Sequence, residues 1–240
     1  MGIRNYFSFL RKEDLTISSE MNLFGSFDSS PEMKIEWYEV FSDEFDNKVY
    51  SEDGLKEFDS VNRFFIQGGN NRVFLSKSSN IKKLRLNIIG NNSKIFVGEG
   101  SRLIGDVNIK GNGRCLIVGN NTTFQNVSII IKEKCDVFVG HDCMFSSRIE
   151  IRTSDSHSIF DVETGRRLNK PGNVYIHDHV WLGKDVIVSK GVEISKNCVV
   201  GAKSFVNKSL LDSNCLYAGV PAKKIRSNIN WTRELLPFDN

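Results

Sequence analysis

Aliphatic residues recur along the chain in steps of six, which fits neither the 3.6-residue period of an amphipathic helix nor the alternation of a simple strand. In the first half the steps run six, six and nine, a 21-residue unit seen at Val97, Leu103 and Ile109, then Val118, Phe124 and Ile130, then Val139, Phe145 and Ile151. After a break, plain steps of six link Ile176, Leu182, Val188, Ile194, Val200 and Val206. The pattern predicts short strands whose inward positions stack from one coil to the next.

A second register repeats together with the first. A small residue follows four places after the aliphatic position in successive units, at Ser101, Thr122, Cys143, Val186, Cys198 and Ser204. Small side chains at a fixed offset suit a narrow interior, where coils turn at every wall. The two registers together indicate a parallel β-helix of hexapeptide repeats, an all-β fold with three walls of short strands.

The repeat also predicts the domain organisation. The β-helix is expected over residues 67–222, with one insertion loop at about 152–175. Residues 1–66 do not follow the repeat and are interpreted as an N-terminal cap over the first coil, whose aromatic residues offer a second interpretation as an acceptor-binding platform. Residues 223–240 are expected to pack as a tail on the β-helix or on a neighbouring subunit.

The insertion loop is the place to look for chemistry, because packing of the repeat does not require it. Long loops on rigid scaffolds commonly carry function. The loop contains Asp155, His157, Arg166 and Arg167. His157 is its only side chain whose ordinary titration range suits a general base near neutral pH. We therefore expect His157 to be catalytic.

Composition narrows the class of protein further. The chain has 240 residues, a net charge of +3 and 25% charged residues, so charge gives no reason to expect nucleic-acid binding. It shows no secretory leader and no apolar run of membrane-spanning length, which predicts a cytoplasmic protein without a transmembrane segment. Its five cysteines are expected to be interior fillers in a reducing compartment, at 135, 143, 198 and 215, with 115 unassigned.

Several motifs resemble a known family. They are Ser-His-Ser-Ile-Phe at 156–160, Thr-Gly-Arg-Arg-Leu-Asn at 164–169, His-Val-Trp-Leu-Gly at 179–183 and Ala-Gly-Val-Pro-Ala-Lys at 218–223. In this order they resemble the hexapeptide-repeat acyltransferases that use acetyl-CoA, and among them the bacterial O-acetyltransferases of capsular polysaccharide and sialic acid. The resemblance covers about residues 67–231. The chain departs from the family at two points. Ser158 stands where related sugar acetyltransferases often have a proline, and the turn His177-Asp178-His179 also differs from the family pattern.

The resemblance implies a left-handed β-helix, a homotrimer and active sites between subunits. It implies that His157 is the general base that activates a glycan hydroxyl, and that Trp181 contacts the acyl donor. Such direct transfer requires neither a metal nor a covalent enzyme intermediate, so ternary-complex kinetics are expected. The alternative is an acetyltransferase for a small soluble acceptor, such as a nucleotide-linked amino sugar.

Further site residues follow from these motifs and from charge. Residues expected to bind acetyl-CoA are Trp181, Gly183, Lys203, Ala218, Lys223 and Lys224. The lysines suit the phosphates of CoA, or are ordinary solubilising charges. Arg166 and Arg167 are expected to pair with the carboxylate of an acidic sugar, or to be solvated loop charges. Asp155 is a candidate substrate contact and a candidate partner that orients His157.

Two other functions compete with acyl transfer. The histidines at 141, 157, 177 and 179 suggest a zinc site, as in β-helical carbonic anhydrases, although a His-x-His pair on a strand more often marks exposed corner residues. A solenoid without catalytic activity is the other alternative, since solenoids bind partners on extended faces. Trp181 and the closing motif at 218–223 favour acyl transfer over zinc, and a pure scaffold would not need the His157 loop.

Overall fold

The structure, a computed structural model, describes residues 38–53, 63–81 and 83–238. Within these ranges the chain forms 21 strands and no helix, and therefore no helix capable of crossing a membrane. The strands wind into a left-handed parallel β-helix of about seven turns, which confirms the predicted fold class.

The strands are short and follow one another from wall to wall. In chain order they are β1 (Tyr38–Ser42), β2 (Lys48–Ser51), β3 (Arg63–Gln67), β4 (Arg72–Leu75), β5 (Leu84–Ile89), β6 (Lys94–Val97), β7 (Gly105–Lys110), β8 (Cys115–Val118), β9 (Thr123–Phe124), β10 (Val127–Lys132), β11 (Val137–Val139), β12 (Met144–Phe145), β13 (Ile149–Arg152), β14 (Val174–Ile176), β15 (Trp181–Leu182), β16 (Ile187–Val188), β17 (Glu193–Ile194), β18 (Val199–Val200), β19 (Phe205–Val206), β20 (Cys215–Ala218) and β21 (Lys223–Ser227).

Three sheets form the walls. The first has the order β1-β2-β4-β6-β8-β11-β14-β17, the second β19-β16-β13-β10-β7-β5-β3, and the third β21-β20-β18-β15-β12-β9. Neighbouring strands are parallel except at two ends, where β1 pairs antiparallel with β2 and β21 pairs antiparallel with β20. Parallel strands of one wall come from successive coils, so each wall stacks equivalent positions of the repeat.

The core consists of the predicted inward stacks. In the first sheet the register places Val97, Val118, Val139, Ile176 and Ile194 one above another. All five side chains are fully buried. The predicted small positions are buried as well: Ser101, Thr122, Cys143, Val186, Cys198 and Ser204. The hexapeptide registers of the sequence therefore correspond to the physical coils.

The prediction is wrong for one inward-facing residue. Ile130 is only half-buried, and Ile129 on strand β10 takes the inward position between Val107 and Ile151. The buried residues of β10 are Val127, Ile129 and Ile131, as expected for a strand with alternating sides. Residues 129–131 are all isoleucines, so hydrophobicity alone could not show which of them face inward.

The sheets begin earlier in the chain than the predicted boundary at residue 67. Strand β2 pairs in parallel with β4, and β3 pairs in parallel with β5. The corner before β2 continues the asparagine corners of the next coil, since Asn47 Oδ1 accepts hydrogen bonds from the backbone and the side chain of Asn71 at 3.0 and 2.8 Å. The rest of the predicted cap, residues 1–37 and 54–62, lies outside the described residues.

All five cysteines are free thiols, four of them buried and Cys115 partly exposed. Burial raises the pKa of the Cys143 thiol to about 12. A thiol held protonated in this way packs as a small apolar group and is a poor nucleophile. The four buried cysteines fill space in the coils, as the sequence predicted for residues 135, 143, 198 and 215.

Candidate active site

The predicted insertion loop leaves the second sheet at the end of β13 and enters the first sheet at β14. Its stem is tightly closed, because the Gly172 N–H donates to the carbonyl of Thr153 at 3.0 Å. Thr153 and Ser154 at the start of the loop are almost completely buried. The loop therefore projects from one corner of the β-helix on a fixed base.

The outer part of the loop folds as a small hairpin. Phe160 and Arg167 form an antiparallel bridge, and the Leu168 N–H donates to the Ile159 carbonyl at 2.7 Å. At its tip, Asp161 Oδ1 accepts from the backbone N–H and the hydroxyl of Thr164 at 2.7 and 2.8 Å. Backbone pairing of this kind gives the loop a defined shape. A loop needs a defined shape if it is to present a catalytic side chain.

Asn169 ties the two sides of the loop together. Its side-chain N–H group donates to the His157 carbonyl and to Asp155 Oδ2, each at 2.8 Å, and its Oδ1 accepts from the Ile159 N–H at 2.7 Å. Asp155 also pairs with Lys190, which belongs to the next coil. This pairing, followed by the Asn169 hydrogen bond, lowers the pKa of Asp155. The backbone of His157 is thereby fixed to the β-helix through Asn169, Asp155 and Lys190.

Glu133, in the preceding coil, anchors the loop at a second place. The Glu133 carboxylate makes two contacts with the Arg167 guanidinium, Oε1 accepting from Nη2 at 3.0 Å and Oε2 from Nη1, and also accepts a hydrogen bond from the Ser154 hydroxyl. These interactions, of which that with Arg167 is the largest, lower the pKa of Glu133 from 4.5 to about 2. A bidentate arginine–carboxylate pair fixes orientation as well as distance. Glu133 therefore holds the returning side of the loop.

The lowered pKa of Glu133 predicts how the loop responds to acid. A carboxyl whose pKa falls on folding stabilises the folded loop above its unfolded pKa, so this contribution is complete above about pH 4.5 and is lost as pH falls towards 2. We expect hydrogen exchange at the Leu168 amide, corrected for the intrinsic pH effect, to speed up over this range. Glu133→Gln should exchange faster at neutral pH and lack the acid-dependent change. Equal protection in the variant and the parent would contradict this role.

His157 lies on the outer side of this scaffold. The side chain is exposed and makes no hydrogen bond to the described residues, while the backbone carbonyl is held by Asn169. Asp155 does not orient the imidazole, contrary to the role considered for it, because its carboxylate is engaged by Lys190 and Asn169. The imidazole is thus exposed on a backbone that the Asn169 hydrogen bond holds in place.

The two predicted acceptor arginines have different surroundings. Arg167 is occupied by Glu133 and by Asn169 Oδ1, so its predicted pairing with a sugar carboxylate is not supported by its geometry. Arg166 is exposed at the tip of the hairpin, and its guanidinium pairs with no carboxylate of the described chain. The tip also exposes apolar side chains: Ile159, Phe160, Val162 and Leu168.

The predicted donor-binding residues gather on the third sheet and its edges. Trp181 lies on β15 with 36% of its surface exposed, while its neighbour Leu182 points inward and is fully buried. Gly183 follows β15, Lys203 follows β18, Ala218 ends β20, and β21 begins with Lys223. These strands are neighbours in the third sheet. Trp181, Gly183, Ala218 and Lys223 therefore lie on or beside one wall, and Lys203 lies at the corner between β18 and β19. The side chain of Lys224 is paired with Asp212 at 2.8 Å.

The His157 loop and the Trp181 wall are not brought together within one chain. The loop lies at the corner between the second and first sheets, whereas Trp181 lies on the third sheet beyond the first. No contact joins the two groups among the described residues.

The histidines considered as zinc ligands each have another role. His141 Nδ1 accepts the Asn120 N–H at 2.9 Å, and His177 Nε2 lies 2.9 Å from a carboxylate oxygen of Glu193. His179 Nδ1 lies 2.7 Å from Asp142 Oδ2. His177 and His179 are half-buried, so the expectation of two exposed corner residues is wrong. Among the described residues, no three His, Cys, Asp or Glu side chains form a group suited to hold a metal.

Sequence reasoning missed three residues that shape this site: Glu133, Asn169 and Lys190. Only Asn169 belongs to a quoted motif, and none of the three was assigned a function. The 21-residue period offered one signal, since it places Glu133 directly below Ser154. No comparable signal pointed to Lys190, which reaches the loop from the following coil.

Comparisons with known proteins identify the relatives of this chain. It is 35% identical over 191 residues to a polysialic acid O-acetyltransferase of Neisseria meningitidis, a match that spans 70% of this chain and 89% of the relative. It is 33% identical over 139 residues to a polysialic acid O-acetyltransferase of Escherichia coli O1:K1, covering 58% of this chain and 45% of that protein. No protein-family model matches the chain.

Two crystal structures share the fold at significant sequence identity. The polySia-specific acetyltransferase NeuO superposes with a TM-score of 0.67 and 30% identity, over 79% of this chain and 88% of that one. The polysialic acid O-acetyltransferase OatWY gives a TM-score of 0.60 and 33% identity, over 72% and 92%.

Fold, protruding loop and relatives together define an enzyme of the β-helical acyltransferase class. More particularly, the chain belongs to the hexapeptide-repeat O-acetyltransferases, as its motifs suggested. The roles of individual residues remain predictions.

Proposed function

We propose that this enzyme transfers an acetyl group from acetyl-CoA to a hydroxyl of a sialic-acid-containing capsular polysaccharide. The observation that carries the proposal is His157, whose imidazole is exposed and unpaired on a loop held by Asn169 and Glu133. Both relatives described above are polysialic acid O-acetyltransferases, which supports the acceptor class.

The chemistry requires one general base. A sugar hydroxyl is a weak nucleophile, and His157 would remove its proton as the oxygen attacks the thioester carbonyl. The new C–O bond forms as the C–S bond breaks, and the proton passes from the imidazolium to the departing thiolate. Since acyl donor and acceptor react directly, initial rates should fit a ternary-complex mechanism, and a ping-pong pattern would contradict it.

The residues of the third sheet suit acetyl-CoA. Trp181 offers an exposed aromatic surface to an extended apolar arm, and Lys203 and Lys223 offer cations to phosphates. Gly183 and Ala218 leave little side-chain volume at the ends of their strands. The lysines are outside the His157 loop, so donor and base come from different parts of the fold.

We propose that the enzyme is a homotrimer in which the loop of one subunit meets the Trp181 wall of its neighbour. The separation of these groups by the first sheet supports this arrangement. So does the hairpin tip, where Phe160 and Val162 are 59% and 90% exposed and would be covered in an assembly. Closed rotational symmetry then gives three identical sites.

We propose a cytoplasmic location. The five free thiols suit a reducing compartment, in which disulfides are rare. Acetyl-CoA as co-substrate agrees with it.

The acceptor class can be tested by comparing matched glycans. With acetyl-CoA as donor, we expect transfer to oligomers of sialic acid, and much weaker transfer to the same oligomers with reduced carboxyl groups or to a neutral galactoside. Arg166→Ala should lower the preference for the charged acceptor, with Lys170→Ala as a control from the same loop. Preferred transfer to a nucleotide-linked amino sugar would establish the alternative acceptor class instead.

A further inference from the structure

The C-terminal tail runs back across the β-helix after strand β21. The Ile229 N–H donates to the Asn214 carbonyl at 3.0 Å, and the tail then reaches His179 in the previous coil. Arg233 extends it further, to the Thr123 hydroxyl at 2.9 Å and the Cys143 carbonyl at 2.9 Å. The tail thus follows the corner that precedes the third sheet and passes directly beside Trp181.

Trp231 is the centre of this contact. Only 8% of it is exposed, and its ring stacks on that of His179 with centroids 4.2 Å apart and planes within 8°. Its indole N–H donates to the His179 carbonyl at 2.9 Å. The Arg233 guanidinium lies 5.7 Å from the indole centroid on a cation–π contact. A buried tryptophan with its polar handle satisfied is a specific anchor, not a loosely attached tail.

His179 is used to hold the tail and is closed to substrate. Its pairing with Asp142 resembles a base and its orienting carboxylate. However, the opposite ring nitrogen Nε2 faces the carbonyl of Trp231 at 3.0 Å and Asn230 Oδ1 at 3.2 Å. Asp142 also lies 3.3 Å from the Arg233 guanidinium, so its carboxylate joins both parts of the tail contact.

Trp231 also touches the predicted donor surface. Its ring centroid lies 6.0 Å from that of Trp181 at an interplanar angle of 51°, within the range of favourable aromatic pairs. Trp181 is half-exposed, and Trp231 covers one of its sides. An exposed side chain without such a neighbour would sample several rotamers, each at a cost when the ligand binds.

We propose that Trp231 is a positioning residue for acyl transfer: latched to the β-helix by His179, Asp142 and Arg233, it fixes the ring of Trp181 in the orientation that receives the acyl donor. This inference rests on the proposed donor role of Trp181. It assigns to the C-terminal tail a part of the donor site, beyond the repeat that forms the rest of it.

The role predicts a specific kinetic pattern. Trp231→Ala should raise KM for acetyl-CoA about 3- to 10-fold and leave KM for the acceptor nearly unchanged, as expected for loss of one supporting aromatic contact. Trp231→Phe, which keeps the ring and loses the N–H, should show a smaller rise. Ile225→Ala, an exposed change on β21 in the same C-terminal region, is the matched control and should behave as the parent.

A double-mutant cycle separates positioning from general damage. If Trp231 acts through Trp181, adding Trp231→Ala to Trp181→Ala should have no further effect on KM for acetyl-CoA. Additive effects in the cycle, or an unchanged KM in Trp231→Ala, would overturn the proposal. If the parent enzyme acetylates its acceptor and the cycle is additive, the positioning role fails while the proposed function stands.

A spectroscopic measurement tests the positioning without relying on activity. Replacing Trp37 and Trp231 by phenylalanine leaves Trp181 as the one tryptophan of the chain. Its fluorescence anisotropy should be higher in that variant than in the variant with Trp37→Phe and Trp231→Ala, because the phenylalanine ring still restrains it. Equal anisotropy in two variants of equal assembly size would overturn the proposal even if acetyl transfer were absent.

Discussion

His157→Ala is expected to lower kcat for acetyl transfer by about 10²- to 10⁴-fold, the usual contribution of a general base. KM for acetyl-CoA should hardly change, since the imidazole lies on the loop and the donor residues lie on the third sheet. The rate is measured as release of free CoA thiol at saturating acceptor. Because the Asn169 hydrogen bond is made to the backbone of residue 157, the loop should keep its shape in the variant.

Two controls make this result specific. Ser158→Ala changes the adjacent exposed side chain and should retain parental activity. Added imidazole should restore part of the rate of His157→Ala, because a small base can enter the space left by the ring. Full activity of His157→Ala without added base would end the proposed mechanism.

Mixed assemblies of two inactive variants are expected to regain activity. Chains with His157→Ala lose the base. Chains with Trp181→Glu place a carboxylate against the apolar arm of the donor, which should reduce transfer about 100-fold at low acetyl-CoA. If each site combines a loop and a wall from different subunits, random mixing of the two chains leaves about one quarter of the sites intact. Selection through two affinity tags removes trimers of one variant alone, and each mixed trimer has one intact site in three. Its activity should therefore approach about one third of that of the parent.

A lack of recovered activity in the mixed assemblies would be the opposite result. If one chain supplied both groups, every site in the mixed assembly would carry a lesion, and activity would stay at the level of the separate variants. Mixing each variant with itself through the same two tags controls for effects of purification. Absence of recovery in assemblies of parental size would therefore contradict the shared site.

The sequence was informative about the coils because packing repeats. Every coil must place an aliphatic side chain and a small one inside a narrow interior, so Val118 and Thr122 recur as Val139 and Cys143. The register failed at Ile130, where adjacent isoleucines are equally apolar and only the alternation of the strand decides which one faces inward. The N-terminal start of the sheets was missed because β2 and β3 lack the full repeat.

The sequence predicted individual residues of the site but not the contacts between them. A break in the repeat marked His157, and the family resemblance of the motif at 179–183 marked Trp181. The partners of Asp155 and Arg167 could not be read from the sequence, because Lys190 and Glu133 reach the loop from other coils. Charge alone suggested a sugar carboxylate for Arg167, whereas the fold supplies Glu133. Long-range ion pairs depend on which coils are neighbours at the loop corner.

Acetyl transfer to a hydroxyl of a sialic-acid glycan can be demonstrated by identifying the product. The enzyme is incubated with acetyl-CoA that carries an isotopic label in its acetyl group and with an oligomer of sialic acid, and the glycan is analysed by NMR. The label should appear in an ester on a sugar oxygen, with one CoA released for each ester. Almost no label should appear with His157→Ala. Label on nitrogen, or CoA release without labelled glycan, would contradict the proposed transfer.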